Sequence, residues 1–237
     1  VSELAEADPA LRILEVGGGT GGTTARLVER LPEGASYTFT DVGPSFVERA
    51  EERFGHRSGM RFQTLDLERD LTEQGIEAGS IDLIVGANVV HATRNLKNTL
   101  QRMKDVMSPS ARLLLLEVTR PQIWFDLTVG LTPGWWTFED TDLRTGNPLL
   151  AREDWLDLFR QVGLSDAAAF NGDPDASGCR RNQAILTASA GLQTGRSWWL
   201  VSSDAAAVEP LAEELRHSGE TVSVIAPDDI SAKLQQA

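Results

Sequence analysis

Cysteine is almost missing from this chain: Cys179 stands alone among 237 residues. A single thiol excludes a disulfide framework and a cysteine-rich zinc site, and it fits a reducing compartment, so a cytoplasmic location is expected. Histidine is nearly as scarce, with His56, His91 and His217, which leaves no basis for a His-rich metal centre, and no metal is expected. Positive charge is in deficit, with 22 Lys and Arg against 35 Asp and Glu and a formal net charge of -13. Nucleic-acid binding rests on clustered Lys and Arg, so no nucleic acid is expected as a partner. No apolar run approaches the roughly 20 residues of a membrane-spanning helix, and no membrane is expected either. The chain opens on Val1 without a signal-peptide pattern, almost directly ahead of its first apolar run, and reads as a segment of a longer polypeptide.

Hydrophobic residues make up 41% of the chain, enough for the core of one large α/β domain with an additional piece. Apolar runs at 11–16, 36–41, 61–65, 81–86 and 112–118 alternate with helical spacing at 21–31, 44–54 and 95–107. That alternation is the pattern of a doubly wound parallel sheet with helices on both faces. Asn95 is placed to cap its helix, and Ser108-Pro109 to end it. The segment 121–150 departs from the pattern: Trp124, Phe125, Trp135, Trp136 and Phe138 surround Pro133-Gly134, as in an inserted wall or lid. An amphipathic helix at 152–162 leads to strands at 166–170 and 182–188. The turn Gly172–Gly178 separates them, and together they read as a terminal hairpin with its last strand antiparallel. Beyond Gly191 a strand–helix–strand fragment follows (198–202, 205–217, 221–225), without the glycines of a nucleotide site.

The most informative stretch is Ile13-Leu-Glu-Val-Gly17-Gly-Gly19-Thr-Gly21-Gly22, a strand, a glycine-rich turn and a helix start. Glycines there let bare backbone approach a nucleotide-like ligand. Gly17, Gly19 and Gly22 also satisfy the dinucleotide fingerprint. Glu15 separates the two readings, because a carboxylate two residues before the turn repels a pyrophosphate. It suits the cationic sulfonium and amino group of S-adenosylmethionine (SAM), directly or through water. Asp41 ends the second strand, where an acid faces the ligand crevice and accepts from ribose hydroxyls. Asp66, after the third strand, is placed to meet the adenine amino group, with the Leu67 backbone N–H on the ring.

After the fourth strand comes Asn88-Val-Val-His91, which lacks both the proline-rich tetrad of nucleic-acid amino methyltransferases and the Pro-Cys of C5-cytosine enzymes. Strands four and five are neighbours in this sheet order, and Glu117 ends strand five behind four leucines. A carboxylate there is costly to bury unless it is paired. His91 and Glu117 are therefore expected to meet as a base and its orienting acid. Carbon needs an enol or enolate to be methylated, and such a dyad suits removal of an acidic C–H proton or activation of a hydroxyl.

Four blocks of residues 10–188 resemble the C-methyltransferase domain of modular type I polyketide synthases: Ile13–Thr24, Asn88-Val-Val-His91-Ala-Thr, Leu114-Leu-Leu-Glu117, and Gly130-Leu-Thr-Pro-Gly-Trp-Trp136 with Glu139-Asp140. The resemblance implies the Rossmann-like, seven-stranded sheet of class I methyltransferases, with its last strand antiparallel. It also implies methylation of the α-carbon of a β-ketoacyl chain carried on an acyl carrier protein, within a larger megasynthase. His91 would be the base, Glu117 its partner, and Glu15, Gly17, Gly19, Asp41, Asp66, Leu67 and Asn88 the SAM site. Trp135 and Trp136 would line the substrate tunnel or fill the core. Residues 1–190 would form the methyltransferase core, with the family's helical N-terminal lid largely missing. Residues 191–237 resemble the start of a structural ketoreductase-like domain. An O-methyltransferase on a β-hydroxyl or enol of the same chain shares every cofactor residue and stays open, as does an inactive structural domain. An NAD(P)-dependent reductase is disfavoured by Glu15.

Overall fold

The computed structural model describes residues 10–171, 182–191, 197–217 and 221–227; the turn expected at 172–178 and Cys179 lie outside them. The chain divides at Gly191 into two compact units. In the first, β1 (Arg12–Val16), α1 (Gly22–Leu27), β2 (Ser36–Asp41), α2 (Pro44–Phe54), β3 (Met60–Thr64) and β4 (Ile81–Ala87) follow in order. They lead to α3 (Leu96–Val106), β5 (Met107–Val118), α4 (Ile123–Asp126), α5 (Arg152–Gln161), β6 (Ser165–Asn171) and β7 (Gln183–Ser189). The strands form one seven-stranded sheet in the order β3-β2-β1-β4-β5-β7-β6. The first five strands pair in parallel, whereas β7 runs antiparallel to both β5 and β6.

Strand alternation sends successive side chains to opposite faces, and two cores result. On one face Ile13, Phe39, Leu83 and Val85 pack under Val47, Ala50 and Phe54 of α2. On the other, Leu14, Ile84, Leu113 and Leu115 pack under Leu96, Leu100 and Met103 of α3 and Trp155, Leu158 and Phe159 of α5. Helix starts follow local chemistry. Pro44 opens α2 at a position that needs no backbone donor, and the Asn95 side chain accepts from Asn98 N at 3.0 Å ahead of α3. Two elements differ from expectation. The helix expected at 21–31 ends at Leu27 and tightens into a 3-10 turn, Val28–Arg30. Pro32 then holds Leu31 extended, because a residue before proline is excluded from the helical region. Ser108-Pro109 ends α3, but the chain stays extended through both residues, so β5 starts at Met107 rather than at 112.

The sheet order reverses between β1 and β4, the point at which doubly wound sheets open a crevice beyond the strands' carboxyl ends. Among the described residues no helix is long and apolar enough to cross a membrane, and no cluster of His, Cys, Asp and Glu is arranged to hold a metal ion. The second unit consists of β8 (Ser197–Val201), α6 (Ala205–His217) and β9 (Thr221–Ile225), its two strands parallel.

Candidate active site

A cavity of about 410 Å³ opens at the carboxyl ends of β1–β4. Gly17, Asp41, Asp66, Leu67 and Asn88 line it, as do Val42, Leu65, Glu68, Val89, Ala92 and Thr93. Gly17 (φ 60°) and Gly19 (φ 53°) both adopt the left-handed conformation, for different reasons. A Cβ on Gly17 would lie 2.2 Å from Val89 Cγ2, so glycine is required there by close packing. A Cβ on Gly19 would meet no atom within 4 Å, so its Cα faces open space. Asp41 braces the turn: one carboxylate oxygen accepts from Gly19 N at 2.9 Å and the other from Gly43 N at 2.8 Å. Asp66 accepts from Glu68 N at 2.9 Å, and the Leu67 N–H has no partner among the described residues.

Glu15 is not among the residues that line this cavity. Alternation puts it on the sheet face of Ile13, which packs under α2. Its carboxylate there accepts from Thr24 Oγ1 at 2.6 Å and Tyr37 Oη at 2.8 Å. Burial pushes the Glu15 carboxyl above its ordinary value, an effect opposed by the two hydroxyls. The acid therefore anchors α1 to β2 beneath the glycine turn.

The second half of the site is built where β4 meets β5. Asn88 adopts φ 52°, which Asn tolerates better than most side chains. It is stitched to β5 at both ends: its N–H donates to Leu116 O at 2.7 Å, and its side-chain oxygen accepts from Val118 N at 3.1 Å. The chain then tightens into a 3-10 turn, Val90–Ala92, that presents His91. Glu117 shares the sheet face of Leu113 and Leu115 and is fully buried. Its Oε1 accepts from Val89 N at 3.1 Å and Val90 N at 2.9 Å, and its Oε2 lies 2.5 Å from His91 Nδ1. All three contacts carry hydrogen toward the carboxylate when Nδ1 is protonated. That tautomer leaves the Nε2 lone pair free, and Nε2 has no partner among the described residues.

Trp135 stands edge-on to the His91 ring, centroids 5.6 Å apart, and stacks on Phe125 at 5.6 Å. It is buried, whereas Trp136 is about half exposed, with its indole N–H donating to Gly130 O at 2.8 Å. The two neighbouring tryptophans thus differ in role, and only Trp135 touches the dyad. Arg144 belongs to no motif, yet its buried guanidinium donates to His91 O at 2.8 Å. The one trace of it in the sequence is the opposite charge at Asp140, four residues earlier.

Residues 14–113 match the family described as methyltransferase domain. The CurJ carbon methyltransferase superposes with a TM-score of 0.73 at 37% identity, covering 77% of this chain and 49% of that one. The chain carries a class I, SAM-dependent methyltransferase domain. Hybrid PKS-NRPS synthetase lepA of Aspergillus flavus is 39% identical over 189 residues, 79% of this chain and 5% of that protein. Methyltransferase calH of Penicillium decumbens is 39% identical over 181 residues, 73% of this chain and 49% of that protein. The chain thus spans about half or less of the curated relatives it matches. CalH has been solved as a trans-methyltransferase in complex with SAH, at a TM-score of 0.71 and 34% identity over 79% of this chain and 53% of that one.

The residues of the methyltransferase domain fit SAM as cofactor. Along the cavity the unpartnered N–H of Leu67 would offer a donor to the adenine ring, and the carboxylates of Asp41, Asp66 and Glu68 would offer acceptors to hydroxyl and ammonium groups.

Proposed function

We propose that this domain transfers a methyl group to the α-carbon of a β-ketoacyl chain held on an acyl carrier protein, as one step of polyketide assembly. The observation that carries the reading is the His91–Glu117 pair: a buried carboxylate fixed by two backbone N–H groups, a 2.5 Å contact to Nδ1, and a free Nε2. Positioning alone suffices for some oxygen and nitrogen nucleophiles, whereas carbon requires a proton to be removed first. Bound SAM supplies an electrophilic methyl group on a sulfonium. Gly17, Gly19, Asp41, Asp66, Leu67 and Asn88 form its site, with Glu15 securing the turn from beneath. His91 Nε2 takes the α-proton, and the electron pair of that C–H bond moves toward the ketone oxygen. Glu117 stabilises the imidazolium and holds the tautomer that begins the cycle. The adjacent carbonyls make the proton acidic enough for an imidazole, and holding the carbon about 3–3.5 Å from the methyl supplies much of the remaining acceleration.

The relatives support the same setting, since lepA is a polyketide synthase hybrid and CurJ a carbon methyltransferase. Within it, Trp135 lines the acyl tunnel beside His91, and Trp136 stands toward its mouth. Residues 191–237 form the start of a ketoreductase-like region, supported by a parallel β-α-β unit. The location is cytoplasmic, consistent with the single cysteine.

Mass spectrometry of carrier protein loaded with a β-ketoacyl chain tests the proposal, with a matched β-hydroxyacyl sample beside it. Gain of one methyl on the ketoacyl species alone, lost in His91→Ala while SAM still binds, is the expected result. Methylation of the hydroxyacyl species would assign the domain to oxygen. SAM binding without transfer to either species would point to a structural role.

A further inference from the structure

We propose that Arg144 is a positioning residue for the base: its planar fork grips three carbonyls of the turn that carries His91 and fixes where Nε2 points. This rests on reading His91 as the base. Arg144 is fully buried, and every nitrogen of its guanidinium is engaged. Nε lies 2.5 Å from Asp140 Oδ1, Nη1 donates to His91 O at 2.8 Å, and Nη2 donates to Thr93 O at 2.8 Å and Arg94 O at 2.9 Å. Nη1 also reaches Pro148 O at 3.4 Å. Asp140 closes the frame, because its second oxygen accepts from Leu96 N at 2.9 Å at the start of α3. Phe138 backs the guanidinium at 5.1 Å.

The turn at Val90–Ala92 satisfies Val90 O through Thr93, and Glu139 N donates to Arg94 O, but the carbonyls of His91 and Thr93 rely on an outside donor. Water or several small side chains would serve that need. A buried ion pair is a weak source of stability, often matched by apolar residues of the same volume. What the fork adds is shared geometry. A single rigid plane ties the carbonyls of residues 91, 93 and 94 together, while Glu117 holds the imidazole and the N–H groups of residues 89 and 90. The base is thereby fixed at its ring and at its backbone by two charged groups on different segments. A lysine keeps the positive charge beside Asp140 but lacks the planar fork and releases part of this frame.

The test separates proton removal from methyl transfer. In the full-length protein without SAM, enzyme-dependent exchange of the α-protons of an acetoacetyl-pantetheine thioester for deuterium reads the base alone. Arg144→Lys should lower that exchange and kcat together, by about tenfold to a hundredfold for a displaced catalytic group. KM and SAM affinity should change little. Should Arg144→Lys not fold, Asp140→Asn with Arg144→Met removes both buried charges and carries the same expectation. Parental exchange in the folded variant overturns the proposal, as does loss of exchange only in parallel with KM, SAM affinity and melting temperature. His91→Ala run beside it distinguishes the two claims. Exchange that survives in His91→Ala removes the base reading itself and the role of Arg144 with it. Exchange lost there but parental in Arg144→Lys refutes the Arg144 role alone.

Discussion

Replacing Glu117 by Gln probes the dyad with the least disturbance of shape. The carboxylate accepts three hydrogen bonds: Val89 N and Val90 N at Oε1, and His91 Nδ1 at Oε2. An amide has one accepting end and one donating end, so it must choose. Turning its NH2 toward the backbone opposes two buried N–H groups and forfeits two bonds of the charge-assisted kind, about 1.5–3 kcal/mol each. Turning its oxygen to the backbone keeps both and aims the NH2 at Nδ1. The second arrangement wins, and it forces Nδ1 to accept, which moves the imidazole proton to Nε2. The base then has no lone pair where the α-proton sits, and the imidazolium loses its counter-charge. General-base catalysis is worth about a hundredfold to ten-thousandfold, so kcat should fall within that range, about 3–5 kcal/mol of barrier. A wrong tautomer costs about ten-thousandfold in the analogous Asp→Asn change of the serine protease triad. His91→Ala should lose more, since the Glu117→Gln variant leaves an imidazole in place. Time courses of methyl gain on the β-ketoacyl carrier protein at saturating SAM, with calorimetric SAM binding as control, provide the measurement. Undiminished kcat with unchanged SAM affinity would refute the dyad.

Two further perturbations separate support from contact. Gly17→Ala places a methyl 2.2 Å from Val89 Cγ2 at φ 60°. It should destabilise the fold by overpacking, about 1–3 kcal/mol, on top of about 1–2 kcal/mol for left-handed backbone. Gly19→Ala meets no atom within 4 Å and carries only the left-handed cost at φ 53°, so it should lose less melting temperature than Gly17→Ala while SAM affinity drops. Equal loss of stability in the two variants would contradict the division. Glu15→Gln tests the acid beneath the turn by thermal melts across pH. Burial raises the Glu15 carboxyl above its ordinary value of 4.5, so folding favours the protonated form. The contribution of Glu15 to stability is therefore fullest below about pH 4.5 and is lost as pH rises through the folded value. The uncharged variant lacks that decline, so its stability relative to the parent should grow with pH; a flat difference would refute the argument.

The strands were legible because each apolar run is short and bounded by turn residues, and α2 and α3 because Pro44 and Asn95 mark their starts. His91 and Glu117 could be paired in advance because neighbouring parallel strands deliver their carboxyl ends to one crevice, and because four leucines make a following carboxylate conspicuous. The partners that hold Glu15 were not legible. Thr24 and Tyr37 lie 9 and 22 residues away, and their hydroxyls have no signature of their own. Arg144 was hidden for a related reason: its main partners are carbonyl oxygens, which every residue has. Trp135 and Trp136 illustrate a third limit, since a 3-10 turn divides adjacent identical side chains between His91 and solvent.

The proposed site falls into two halves that answer to different parts of the chain. The cofactor half takes backbone and carboxylates from the ends of β1, β2 and β3, braced by Asp41 within the glycine turn. The reacting half takes His91 and Glu117 from β4 and β5, braced by Arg144 and closed by Trp135 from the segment between β5 and α5. Val89 joins them: its side chain packs on Gly17, and its N–H donates to Glu117. Val89 is thus a direct link between the glycine turn and the base. Catalysis by proximity depends on that distance, because misplacement by about 1 Å can cost a hundredfold. Val89→Ala removes the packing against Gly17 while keeping the backbone donor, so SAM affinity and kcat should both fall although neither half has lost a functional group. A change confined to SAM affinity would instead mean that the β4–β5 frame alone holds the base in register.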